Sequence, residues 1–251
     1  NVLNFWPLGV FRANLFAVAY LTAIACMALD LPARSLAKWW DVVPAMLLVV
    51  ATSLAAQHFS VGPQIAFGDY KEVSPDLHYR GGGLAVKATF SWKKMSAEAM
   101  ASKLEYKPEG GAATTNFDAS EVDVRVRYLI AGPVSGELGF INRKTDPEFE
   151  AQSVGAVVIG GRIGYLLGPG VHMGLNGGVL AGSKFSGGGT VSPLGAIQLG
   201  LGVTVDALKG RLQLTGDYGF QRFSRETDDG SGPASAPIQQ SLGRIGLSIA
   251  F

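Results

Sequence analysis

The stretch Ser241–Phe251 reads SLGRIGLSIAF. Phe251, Ile249, Leu247 and Ile245 fall on one parity, and Ala250, Ser248, Gly246 and Arg244 on the other. Side chains of a β-strand point alternately to its two faces, so this segment has one greasy face and one small or charged face. A single such strand fits many folds. Its recurrence at matching length back to Phe59 narrows the reading to a transmembrane β-barrel, whose signal is weak per strand and strong in sum.

Working outward, ten segments alternate. Val122, Val124, Val126, Tyr128 and Ile130 oppose Glu121, Asp123, Arg125 and Arg127 in the clearest of them. Leu84, Val86, Phe90 and Trp92 oppose Lys87, Thr89 and Ser91; Ile197, Leu199, Leu201 and Val203 oppose Gln198, Gly200, Gly202 and Thr204. The segment Glu98–Lys107 is the weakest. It sets Met100, Leu104 and Tyr106 against Lys103 and Glu105, and it also fits a short helix.

The connections alternate too. Lys94–Ala97, Gly132-Pro133, Gly168-Pro169-Gly170 and Ala207–Gly210 are short, whereas 71–82, 108–120, 144–152, 183–193 and 222–239 are longer. Short turns at one rim and longer loops at the other are a barrel trait. With both termini on the short-turn side the strand number is even: ten with the weak segment, and eight as the main competitor. Aromatic residues gather toward both strand ends, Trp92, Tyr128, Tyr165 and Phe251 at one and Phe67, Tyr106, Phe140, Tyr218 and Phe220 at the other. Rings of this kind favour the two headgroup levels of a bilayer.

Hydrophobic residues make up 47% of the chain and glycine contributes 34 residues, many inside the alternating runs. Glycine weakens a soluble sheet, but on the inner face of a narrow barrel it makes room. A net charge of +1 with no basic run interleaved with aromatics gives no sign of a nucleic-acid partner. The single cysteine, Cys26, lies upstream, so the barrel region has no disulfide and no cysteine metal site.

Residues 1–56 are read as an upstream apolar segment plus signal peptide, and 57–251 as the barrel. Val42–Ala56 follows Arg34 and Lys38 and ends in Ser53-Leu54-Ala55-Ala56. A basic flank, a short apolar run and small exit residues describe an export signal cleaved after Ala55 or Ala56. Leu15–Leu29 is taken as extra upstream sequence; a helical hairpin in the membrane and a lipoprotein anchored at Cys26 are the alternatives.

On the hairpin series, the signal-like start and the terminal Leu247-x-Ile249-x-Phe251, the chain resembles the small outer-membrane β-barrel proteins of bacteria with two membranes. The resemblance implies outer-membrane localisation, contact with outer-membrane lipid and lipopolysaccharide, and a monomer. It also implies that Leu247, Ile249 and Phe251 are the signal read by the barrel-assembly machinery. No cofactor is expected.

The lumen is expected to carry Lys87, Lys103, Arg125, Arg127, Arg162, Arg211 and Arg244, with Lys93 and Arg143, against Glu105, Glu121, Asp123, Glu137, Asp206 and Asp217. Unpaired charge in a narrow interior costs several kcal/mol, so these groups are expected to pair and plug the barrel. A cationic constriction for small anions is the other reading. The expected function is therefore non-enzymatic: structural, surface-binding, or a narrow pore. An outer-membrane enzyme is the rival, either lipid A-modifying through His58-x-Ser60 or omptin-like through Asp69, Asp76 and His78. Strands shorter than those of omptins argue against the latter. A soluble lipocalin-like barrel is the third possibility. His172 is expected to hydrogen-bond within the lumen, and the loop with Asp228 and Asp229 lacks the full ligand spacing of a calcium motif.

Overall fold

The computed structural model describes residues 57–251 apart from 74–75, 147–148 and 229–231. The expectations placed on residues 1–56, Cys26 included, lie outside the described residues, as does Asp229.

The strands are β1 (Gln57–Glu72), β2 (Leu77–Trp92), β3 (Met95–Gly111), β4 (Phe117–Ala131), β5 (Val134–Asp146), β6 (Val154–Gly168), β7 (Val171–Phe185), β8 (Thr190–Ala207), β9 (Leu212–Asp228), β10 (Pro233–Ser235) and β11 (Ile238–Ala250). Each long strand pairs antiparallel with its sequence neighbours, β9 with β8 and β11, and β11 returns to β1 with Ile245 opposite Ile65. The result is a closed barrel of ten strands, with short β10 paired to the far end of β9. The weak third segment is thus a strand, and eight strands is excluded. Closure gives each of the ten long strands a partner on both sides, which a spanning sheet requires because hydrocarbon offers its backbone no partners. The last link is made by the terminal residue itself: Phe251 N–H donates to the Phe59 carbonyl at 2.8 Å.

Large apolar side chains cover the outer wall. Leu84, Ile65, Leu138, Leu199 and Ile249 are all more than half exposed. Among the described residues no second layer covers them, so the soluble lipocalin-like reading is set aside and the fold is a transmembrane barrel. Turns at the near rim are tight; Gly170 in the β6–β7 turn sits at φ +74°, a conformation that favours glycine. At the far rim the structure differs from expectation. The ten barrel strands run 13–18 residues, past the roughly 9–11 that cross a bilayer. Much of the sequence read as loop is strand, so short strands are no argument against an omptin-like architecture.

β3 faces opposite to expectation. Met100, Leu104 and Tyr106 are buried inside, whereas Lys103 and Glu105 are exposed on the outer wall, 3.4 Å from Asp118 and 3.6 Å from Lys107 respectively. Register decides this: Met100 lies between Lys87 of β2 and Asp123 of β4, both inward. Tyr106 therefore leaves the outer aromatic set and joins an inner one.

That inner set closes the loop-side half of the barrel. Tyr106 stacks on Phe117 at 4.9 Å between ring centres, and Phe117 on Phe149 at 4.5 Å. Tyr70 and Tyr79 meet Phe117 edge-on. Phe149 comes from the β5–β6 connection, whose turn is held inward by Thr145 Oγ1 donating to the Phe149 carbonyl. Ile141, Val158, Leu180, Phe223 and Ile238 complete an apolar core within the ring. The Tyr106 ring lies against Gly81, where an added Cβ would come within 2.8 Å of it. Glycine there creates the ring's seat.

Candidate functional site

Below the aromatic layer the interior changes to charge. Lys87 Nζ lies 2.9 Å from Asp217 Oδ1 and 3.4 Å from Glu98 Oε2. Arg127 donates to Glu98 at 3.2 Å and to Glu137 at 2.6 Å. Arg125 reaches Glu137 at 2.9 Å, Asp123 at 2.8 Å, and Gln198 on the opposite wall at 3.1 Å. Gln64 ties Asp217 to Thr215. β2, β3, β4, β5, β8 and β9 all contribute, so the network crosses the lumen rather than lining it. Each charge here loses water, and only its several charge-assisted bonds offset that cost.

Among the expected lumen residues, Lys87, Asp123, Arg125, Arg127, Glu137 and Asp217 are brought together. Arg162 projects inward beside them without an ion pair among the described residues. Glu121 and Arg143 sit higher, opposite each other in register on β4 and β5. The Arg143 guanidinium lies 5.7 Å from the Tyr70 ring centre and 5.8 Å from that of Phe223, with no hydrogen-bond partner on its nitrogens. Arg244 is inward as expected and donates to the Met100 sulfur. Asp206 lies at the short-turn rim, bonded to His172 at 3.2 Å and Gln213 at 2.9 Å. Two expectations are corrected besides Lys103 and Glu105: Arg211 is exposed in the turn before β9, and Lys93 is exposed in the β2–β3 turn against Trp92, whereas Arg143 faces inward as expected, at the level of the aromatic layer. The turn residues fall beyond the last inward-facing pair, where alternation no longer assigns a side.

Glu98, Gln64 and Gln198 were not singled out from sequence. Glu98 shares a face with Met100 and Leu104, the face assigned outward, and correcting β3 places it at the centre of the network. A signal existed: Glu98 opposes Arg125 and Thr89 in register, both on inward parity.

Residues proposed for an enzyme are placed as follows. Ser60 Oγ is 2.6 Å from Thr89 Oγ1, and His58 is exposed at the rim. His78 Nε2 is 2.9 Å from Asp69 Oδ2 and 3.7 Å from Glu109, but on the outer wall, where Arg80 also engages Glu109 at 2.6 Å. Asp76 instead faces Lys71. The Asp69–His78–Glu109 group brings three potential ligand atoms together, with the Arg80 cation competing for the same carboxylates.

Under the network the lumen opens into a cavity of about 460 Å³ that reaches the short-turn rim. Hydroxyls recur along its wall, from Ser60, Thr89, Ser91, Ser96, Ser135 and Ser248, with Lys87, Glu98, Arg127 and Arg162 at the inner end and His172 in the lining.

No protein-family model matches the chain, and no curated protein matches it. Solved structures similar to it include neisserial surface protein A, at 12% identity and TM-score 0.39 over 77% of this chain and 97% of that one. The outer membrane protease OmpT from Escherichia coli matches at 10% identity and TM-score 0.46, over 78% and 97%. The translocator domain of autotransporter NalP from Neisseria meningitidis matches at 14% identity and TM-score 0.36, over 90% and 99%.

Proposed function

We propose that this protein is an integral outer-membrane barrel that is closed to solute flow and non-enzymatic, acting as a structural or surface-binding component of the envelope. The observation that carries this is the double occlusion of the lumen. An apolar aromatic layer fills the loop-side half and a cross-barrel ion-pair network lies beneath it. In such an orientation the short-turn rim faces the periplasm and the longer connections face outward. The charged outer-wall residues Arg80, Lys103 and Lys107 then stand at the outer headgroup level, in reach of lipopolysaccharide, and the barrel works as a monomer. The terminal Leu247, Ile249 and Phe251, all exposed on the outer wall, remain accessible for the assembly machinery until β11 closes on β1.

The test is conductance of the detergent-folded protein in a planar bilayer, with heat-modifiable gel mobility confirming the fold. Absence of current steps above the leak is expected. Reproducible steps from folded protein would overturn the reading.

A further inference from the structure

We propose that the cavity at the short-turn rim is a binding site for a small hydroxylated anion, a sugar phosphate or sugar carboxylate, held by Arg162. Three observations combine. The cavity, about 460 Å³, falls in the range of roughly 300–1,000 Å³ typical of small-molecule sites. Its floor is closed by the ion network, so it admits a ligand from one end only. Its wall offers hydroxyls in numbers that suit a polyol, each able to donate or accept.

The charge at the inner end is specific. Lys87, Arg125, Arg127 and Arg162 share this level with Glu98, Asp123, Glu137 and Asp217. Lys87, Arg125 and Arg127 each have a carboxylate within 4.0 Å; among the described residues Arg162 has none. Glu98, the acid in the cavity lining, is already engaged by Lys87 and Arg127. The Arg162 guanidinium is seated against Gly174, where an added Cβ would come within 2.3 Å of Nη2. The missing side chain on β7 is what makes the seat. A planar fork held in place against backbone is suited to bidentate bonding of a carboxylate or phosphate. A neutral sugar would use the hydroxyl wall and leave this guanidinium without an anion bonded directly to it.

The experiment is calorimetric titration of the full detergent-folded protein with glucose 1-phosphate and with glucuronate, using glucose and inorganic phosphate as comparators. One or both sugar anions bind saturably, at least tenfold tighter than glucose and than inorganic phosphate. The pair also separates a phosphate head from a carboxylate head. R162Q weakens that binding at least tenfold and R162K retains part of it. The exterior control R80Q leaves it unchanged. Ser135 lies opposite Arg162 in register, and S135F fills the cavity and abolishes binding without removing the guanidinium; it carries the test should R162Q fail to show the folded gel band. No saturable binding of either sugar anion, or wild-type binding in R162Q or S135F, overturns the proposal. Current steps with intact binding would overturn only the closed lumen; a silent barrel that binds neither sugar anion would overturn only this site.

Discussion

Lys87 and Asp217 meet at 2.9 Å although 130 residues separate them in sequence and strands β1 and β11 separate them around the ring. The bond is a chord of the barrel. It exists only when the ring has closed, and it couples the second strand to the ninth through the interior.

Lys87→Met should therefore be costly. It leaves Asp217 and Glu98 buried with one fewer cation, and breaking such a pair costs about 3–5 kcal/mol. The double variant Lys87→Met, Asp217→Leu should recover part of the loss, since two apolar groups need no partner. Urea unfolding of the folded protein, followed by tryptophan emission, checks both; a double variant worse than the sum of the singles would contradict the pairing.

The inverted face of β3 gives a second test. Lys103→Ala, on the outer wall, should change stability by no more than about 0.5 kcal/mol. Glu98→Ala strips the shared partner of Lys87 and Arg127 and should cost about 3–5 kcal/mol. Equal effects at the two positions would return Lys103 to the lumen.

Leu201 projects from the middle of β8 into the lipid-facing wall. Leu201→Arg should cost about 2–4 kcal/mol near the bilayer midplane, read as a lowered folding midpoint in lipid vesicles. At neighbouring Gly200 a side chain would instead strike Asn176, whose Oδ1 lies 2.4 Å from an ideal Cβ. A harmless Leu201→Arg would refute the facing of β8.

The two interior layers should seal independently. Phe117→Ala removes the ring central to the aromatic stack and should cost about 3–5 kcal/mol, yet leave the bilayer silent because the ion network still spans the lumen. Arg125→Ala should also stay silent. Only the two together should produce current steps.

Glu72 lies past the lipid-facing stretch of β1, 2.9 Å from the Tyr70 hydroxyl. Burial raises its carboxyl above the ordinary value, against the opposing pull of the Tyr70 hydrogen bond and of Arg225. The folded state then binds this proton more readily than the unfolded state. The resulting stability is fully present below the unfolded value of 4.5 and is lost as pH rises through the higher folded value. Glu72→Gln should flatten the part of the pH profile that begins near 4.5 and runs upward from it, measured by unfolding midpoint against pH.

Alternation identified which positions face lipid on nine of the ten strands, because a period of two needs no knowledge of neighbours. It failed on β3 for a physical reason. At the height where Leu104 and Tyr106 sit, the interior is apolar while the outer wall carries Lys103, Glu105 and Lys107, so greasy and charged faces exchange places. Hydropathy alone carries no record of height along a tilted strand.

The chain by itself determined the barrel, its strand parity, its tight turns at one rim, and most of the charges turned inward. Those follow from local periodicity and turn chemistry. Which charge meets which, the aromatic layer closed by Phe149, and the place of Arg162, without an ion pair among the described residues, at the inner end of the cavity were decided only by the closed ring. Contacts across a lumen depend on register summed around every strand, and no local stretch of residues encodes that sum.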